Sequence, residues 1–357
     1  MKRRAILDQL EPYVPGKRIE GGVKLASNEN PFGPAPAALE AFTASFADVH
    51  RYPDGGMHAL KAALAARCAV TPDQLVIGNG SDEIMVMIAG AFIEPDTNAV
   101  TAAHTFSQYT FATSVFGGSV RHAAMREGTF DLGAISDLID ESTRIVWLCN
   151  PNNPTGTMFS HNDLARFLKG LTTQPIVVVD EAYAEFVEDG SYPDTLGLIR
   201  NYPNLIRLRT FSKIYGLAAL RVGYGIAESE LIEAVTTMRQ PFNVGTPAQN
   251  AARAALADEA HIQKTKANNR AERARLYRWL EERGIPYYPT QANFVCAEFG
   301  ERAAGLVSAL EERGISVRPL GSFSLPNHLR ISIGTPDEMD ALYEAVVPLL
   351  EADHASR

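Results

Sequence analysis

Lys213 stands in a string that gathers an amine, two hydroxyls and a guanidinium within a few residues, Thr210-Phe211-Ser212-Lys213-Ile214-Tyr215-Gly216-Leu217-Ala218-Ala219-Leu220-Arg221. A lysine used as a nucleophile must shed its proton near neutral pH, and partial burial beside other cations lowers its pKa enough for that. Thr210, Ser212 and Arg221 are the residue types that grip a phosphate, the arginine through its planar fork. An isolated Lys in a loop is ordinarily a solvated surface cation, and it is the company of this one that argues for chemistry. Asp180, in Ile176-Val177-Val178-Val179-Asp180-Glu181-Ala182-Tyr183, ends an apolar run with an acid that suits a cation or Mg²⁺, or simply caps the next segment. Asn150-Pro151-Asn152-Asn153-Pro154-Thr155-Gly156 has the composition of a turn. Gly78-Asn79-Gly80-Ser81-Asp82-Glu83 opens a helix with free N–H groups that can meet an anion, although ordinary caps look alike. It lacks the Gly-Lys-Ser/Thr ending of a Walker loop, and a dinucleotide fingerprint is absent too.

The elements that must position these residues are legible as short apolar runs at 75–77, 99–102, 144–149, 176–179, 205–208 and 222–226, separated by amphipathic segments. That pattern predicts parallel strands joined by helical crossovers, with both faces of the sheet covered. Ligands of such sheets bind at the carboxyl ends of the strands, and each cluster above follows a strand. Before the sheet, the proline-rich first forty residues read as an extended arm, followed by helices over 37–46 and 58–69. After Pro247 a continuous helix is expected to about Arg283, stopped by Gly284-Ile285-Pro286. Strands near 293–297, 315–319 and 329–333, a helix over 302–313 and a last helix from Pro336 make a separate small α+β layer. The expected division is an arm (1–40) packing with the small domain, a large domain (41–245) and a small domain (246–357).

At 357 residues, 46% of them hydrophobic, the chain can fill two cores that share an interface. A formal charge of -9, with no unmatched Lys/Arg cluster, argues against nucleic acid as a partner. The apolar stretch behind Met1-Lys2-Arg3-Arg4 is too short for a secretory signal, and nothing approaches a membrane span. Cys68, Cys149 and Cys296 lack metal-ligand spacing and are odd in number, so neither zinc nor a disulfide framework is expected. A cytoplasmic protein is the natural reading.

The four clusters, in this order, resemble those of fold-type I pyridoxal-phosphate aminotransferases, and within them the histidinol-phosphate aminotransferase branch. Further strings carry the likeness: Leu25-Ala26-Ser27-Asn28-Glu29-Asn30-Pro31, Arg51-Tyr52-Pro53-Asp54 and Leu325-Pro326-Asn327-His328-Leu329-Arg330-Ile331-Ser332-Ile333-Gly334. The resemblance covers the chain from the arm near Tyr13 to the last helix. It implies a large domain with a mostly parallel, seven-stranded-type sheet between helices, a smaller α+β domain, and pyridoxal 5'-phosphate as cofactor. Carried over position by position, it implies Lys213 as the Schiff-base lysine and Asp180 as the carboxylate that keeps the pyridine nitrogen protonated. Asn153 and Tyr183 would face the phenolic oxygen, and Phe106 would stack on the ring. Ser81, Asp82, Thr210, Ser212 and Arg221 would hold the cofactor phosphate, with Tyr52 of a partner subunit, which implies a homodimer with shared sites. Arg330 and Arg318 would meet the acidic parts of the substrate, and Tyr13 and Asn30 of the arm would also contact it. His104 stands where the family commonly has proline.

The resemblance further implies ping-pong transamination between L-histidinol phosphate and 2-oxoglutarate in histidine biosynthesis. Aromatic amino-acid transamination, of phenylalanine above all, shares the same motifs, because specificity rests on a few pocket side chains. A threonine-phosphate decarboxylase on the same scaffold, and a non-catalytic binding module, are the readings from other classes. Carbon dioxide release without glutamate would mark the first, and a colourless protein indifferent to cofactor the second.

Overall fold

Six apolar runs and one strand that periodicity does not announce form a single seven-stranded sheet in the computed structural model, which describes residues 2–4, 6 and 19–355 and side chains as far as 351. In chain order the strands of the protein are β1 (Val23–Leu25), β2 (Leu75–Asn79), β3 (Asn98–Ala102), β4 (Ser119–Ala123), β5 (Met125–Arg126), β6 (Thr129–Phe130), β7 (Thr143–Cys149), β8 (Ile176–Asp180), β9 (Leu205–Thr210), β10 (Val222–Ile226), β11 (Tyr287–Tyr288), β12 (Phe294–Glu298), β13 (Ile315–Pro319) and β14 (His328–Ser332). The large sheet runs β2-β10-β9-β8-β7-β3-β4, and only β10 is antiparallel to its neighbours. Its strands β7, β8 and β10 are buried over nearly all their length, Arg144 and Ile176 near their starts excepted, as expected of a sheet covered on both faces. β4, with sequence Ser-Val-Arg-His-Ala, lies at the edge and is half-exposed, so no apolar run marks it. The hairpin β5–β6 turns through Glu127 (φ 49°) and Gly128 (φ 73°), the left-handed pair that a two-residue hairpin requires.

The second sheet runs β1-β13-β14-β12-β11. β1, from the arm, pairs parallel with β13, and Leu25 is buried in the small core with Leu276, Phe299, Val317 and Ile331. The helix expected from Pro247 to Arg283 is two helices, Thr246–Ala255 and Glu259–Glu281. They are separated because the Asp258 carboxylate caps the second by accepting from His261 N–H at 2.9 Å. Ala251, Ala252, Ala255 and Ile262 pack in the large core, whereas Leu276 and Leu280 pack in the small one. The long helix thus contributes to both cores.

This topology decides where chemistry can sit. β2, β7, β8 and β9 point the same way, so Asn79, Cys149, Asp180 and Thr210 end at one edge of the sheet. β10 starts at that edge, which brings Arg221, the residue before it, to the same place. The turn after β9 is pressed against the arm at Gly216, whose φ is 69°. A Cβ there would lie 2.1 Å from the Gly33 carbonyl oxygen. Gly216→Ala should therefore destabilise the protein by about 2–4 kcal/mol through left-handed strain and overpacking, read as a lower denaturation midpoint; an unchanged midpoint would contradict this packing.

Candidate active site

Lys213 lies in the turn between β9 and β10, held by the buried side chains of Phe211, Ile214 and Leu217 and by the Gly216 N–H donating to the Lys213 carbonyl at 3.1 Å. Its ammonium nitrogen donates to the Ser27 carbonyl at 3.1 Å and stands 5.6 Å from the Tyr183 ring centroid. Burial, reinforced by Arg330, pushes its pKa down to about 8, against the opposing pull of Asp82 and Glu29. About a tenth of such an amine is uncharged at pH 7, far more than for a solvated lysine.

Asp180, at the end of β8, is 3% exposed. It accepts from Tyr109 Oη at 2.8 Å and from Ala182 N–H at 3.2 Å. Burial pushes its carboxyl up to about 7, although the Tyr109 bond works in the opposite direction. Among the described residues no Lys or Arg forms an ion pair with it, so this acid is kept out of water and left for a cation from outside the chain. Tyr109 is itself fixed by stacking on Trp147 with 5.4 Å between centroids. Sequence reasoning missed Tyr109; the available signal was its place one helical turn beyond Phe106, whose ring it meets edge-on at 5.8 Å.

At the other end of the cleft, Ser81 and Asp82 begin the helix Gly80–Phe92. Arg221, itself at φ 53°, donates to Ser212 Oγ at 3.2 Å and to Asp82 Oδ2 at 3.1 Å, and Thr210 Oγ1 donates to Ser212 Oγ at 2.9 Å. The approach needs glycine twice, since a Cβ at Gly80 would lie 2.4 Å from Arg221 Nη2 and one at Gly223 2.3 Å from Ser81 N. Hydroxyls, a guanidinium and a helix N-terminus on one spot make an anion cradle.

Facing these groups from the small sheet and the arm, Arg330 in β14 donates to Asn153 Oδ1 and, at 2.8 Å, to the Ala26 carbonyl. Tyr183 accepts from Asn28 Nδ2 at 3.0 Å, and burial raises its hydroxyl pKa. A cavity of about 490 Å³ brings together Ser81, Asp82, Phe106, Asn153, Asp180, Tyr183, Thr210, Ser212, Lys213, Arg221, Arg318 and Arg330. Asn30 is not in its lining. Its amide donates to the Ile214 carbonyl (2.8 Å) and to Thr265 Oγ1 (3.2 Å), which holds the backbone beside Lys213. Tyr52 is also outside this cleft, 83% exposed and stacked on Phe242 at 4.8 Å. Tyr13 lies outside the described residues. His104 Nδ1 is 2.8 Å from the Phe323 carbonyl, tying the loop before Phe106 to the small-domain side of the cleft. Ser27, Asn28 and Glu29 also line the cavity and were read only as part of a motif. A second hollow, of about 560 Å³ beside the β5–β6 hairpin, offers no comparable chemistry, its arginines Arg126 and Arg166 being paired with Asp131 and Asp163.

Residues 20–346 match the aminotransferase class I and II family. The chain belongs to that family. It is 45% identical to a histidinol-phosphate aminotransferase of Geobacillus thermodenitrificans, with 98% of each chain covered. It is 44% identical to that of Bacillus subtilis, covering 98% of this chain and all of the relative. Among solved structures, the histidinol-phosphate aminotransferase of Sinorhizobium meliloti in complex with pyridoxal-5'-phosphate superposes with a TM-score of 0.89 at 29% identity, covering 97% of this chain and 96% of that one. The seven-stranded sheet and the smaller sheet are the aminotransferase fold.

Asp180 generates a pH prediction for the ligand-free aminotransferase. Its carboxyl titrates near 7 in the fold against 3.8 ordinarily, so the folded form holds a proton that the unfolded form releases. The associated stability is complete below pH 3.8 and is lost as pH rises through about 7. Asp180→Asn should flatten this part of the stability–pH curve measured by urea unfolding; parallel curves would contradict the assignment.

Proposed function

We propose that the chain is a pyridoxal-phosphate-dependent aminotransferase that converts L-histidinol phosphate and 2-oxoglutarate to imidazole acetol phosphate and L-glutamate, in histidine biosynthesis. The observation that carries this reading is the joining, in one cleft, of a buried amine of lowered pKa, a buried acid without a cationic partner and an anion cradle. That donor set fits the cofactor: Asp180 for a pyridine nitrogen, Lys213 for an aldehyde, and Ser81, Asp82, Thr210, Ser212 and Arg221 for a phosphate. The substrate follows the name borne by relatives that match over almost the whole chain.

When bound, pyridoxal phosphate supplies an aldehyde for the amino group and a ring that accepts the electron pair left at the substrate α-carbon. Asp180 would hold a proton on the ring nitrogen, and a cation there would bring its own pKa back down. Asn153 and Tyr183 would face the cofactor's phenolic oxygen, and Phe106 would stack on its ring. Lys213 Nζ would take the proton from the substrate α-carbon as general base. Arg330 and Arg318 hold the acidic ends of the two substrates in turn.

The same proposal makes the enzyme a cytoplasmic homodimer in which Tyr52, exposed in its own subunit, reaches the cofactor phosphate of the other. No helix among the described residues is long and apolar enough to cross a membrane.

Lys213→Ala should lose the visible absorbance of bound cofactor and all turnover; a normal spectrum and rate would refute the role of Lys213. In the unsubstituted enzyme, kcat/KM for L-histidinol phosphate should exceed that for L-phenylalanine, and the reverse order would reassign the substrate. If the sites are shared, mixing inactive Lys213→Ala and Tyr52→Ala subunits should restore roughly a quarter of the activity, since half of randomly paired dimers would carry one intact site. No recovery in verified heterodimers would contradict the exchange of Tyr52.

A further inference from the structure

The cleft holds four cations, Lys213, Arg221, Arg318 and Arg330, and three acids, Asp82, Asp180 and Glu29. Two of the acids are accounted for: Asp82 is paired with Arg221, and Asp180 is hydrogen-bonded by Tyr109. Glu29 is not. It sits at the cleft mouth, its side chain 41% exposed, and among the described residues its hydrogen-bonding partner is Lys24, at 2.8 Å. An exposed pair of this kind adds little stability and chiefly keeps the carboxylate in one orientation.

The backbone on either side fixes that position. Asn28, at φ 56°, is clamped to β14 by its N–H donating to Ser332 Oγ (2.8 Å) and by Ser332 Oγ donating to its side-chain oxygen (2.9 Å). Asn30 is clamped to the Ile214 carbonyl. Glu29 is thus held between two anchored residues, close enough to Lys213 to raise its pKa.

A fixed carboxylate does not serve the acidic ends of the substrates, because it repels phosphate and carboxylate alike. It is well placed for an N–H donor. Building on the proposed function, we propose that Glu29 is the specificity residue that accepts a hydrogen bond from the imidazole N–H of the amino donor. The arginines take the substrate's acidic end, and Glu29 takes its ring. A phenyl ring has no donor to offer, so binding it here strips water from the carboxylate without a replacement, which is how a polar site rejects an apolar analogue. Glutamate and 2-oxoglutarate carry no ring and gain nothing from Glu29.

The test compares the unsubstituted holoenzyme with Glu29→Gln and Glu29→Ala, each checked for the visible spectrum of bound cofactor. The ratio of kcat/KM for L-histidinol phosphate to that for L-glutamate should fall about ten- to a hundredfold, the size of a lost charge-assisted hydrogen bond, mostly through KM, because the contact exists before the chemistry. Calorimetric binding of L-histidinol phosphate, measured in a Lys213→Ala background, should weaken by a similar factor. A ratio within threefold of the parent's, or a loss shared equally by both substrates, would overturn the role of Glu29 while leaving the proposed function standing. A parent enzyme inactive on L-histidinol phosphate would instead overturn the proposed function, and this proposal with it.

Discussion

Burial without a partner is the constraint on which the rest of the site depends. Removing an acid and an amine from water disfavours both charges, and here the two groups move toward each other on the pH scale, Asp180 up to about 7 and Lys213 down to about 8. Among the described residues no Lys or Arg is paired with the acid; Tyr109 and the Ala182 N–H orient it. Such a pocket is costly for the ligand-free protein and favourable for a ligand that brings a cationic ring nitrogen to one group and an electrophilic carbon to the other. Under the proposed function, the free energy withheld from folding reappears as selectivity for the cofactor.

The arm segment 26–30 joins the two halves of the cleft. Ser27 receives Lys213, Asn28 donates to Tyr183 and receives Asn293, Ala26 receives Arg330, and Asn30 holds the Ile214 carbonyl. Both cores are thereby pinned to a strip of chain that belongs by its β1 pairing to the small sheet. Behind the cleft, Glu181, the neighbour of Asp180, is buried against Arg207 (2.6 Å) and Arg209 (3.3 Å) and accepts from Thr195. These pairs lock β8 to β9, the strands that carry the acid and the amine. Breaking a buried pair is far more damaging than never having one, so they serve register more than stability.

Much of this was legible in the residues. Six runs of apolar residues predicted six strands, because buried parallel strands are apolar on both faces; β4 escaped, because an edge strand with one half-exposed face has no such run. Lys213, Asp180, Ser212 and Arg221 stood out because their chemistry is unusual at strand ends. Tyr109 and Asn28 did not, since a Tyr in a helix and an Asn in a turn are common, and only three-dimensional proximity links them to Asp180 and Tyr183. Asn30 is a similar case: its motif places it beside the site, and only the folded chain shows its amide donating to the Ile214 carbonyl. That the long helix serves both cores was invisible because an Ala- and Arg-rich stretch looks alike whichever core it packs in.

The most direct test of the central claim is chemical. The protein loaded with pyridoxal phosphate is reduced with borohydride, digested and mapped by mass spectrometry. The account predicts a single pyridoxyl label, on Lys213. A label on any other lysine, or none in a protein that retains its fold, would contradict it.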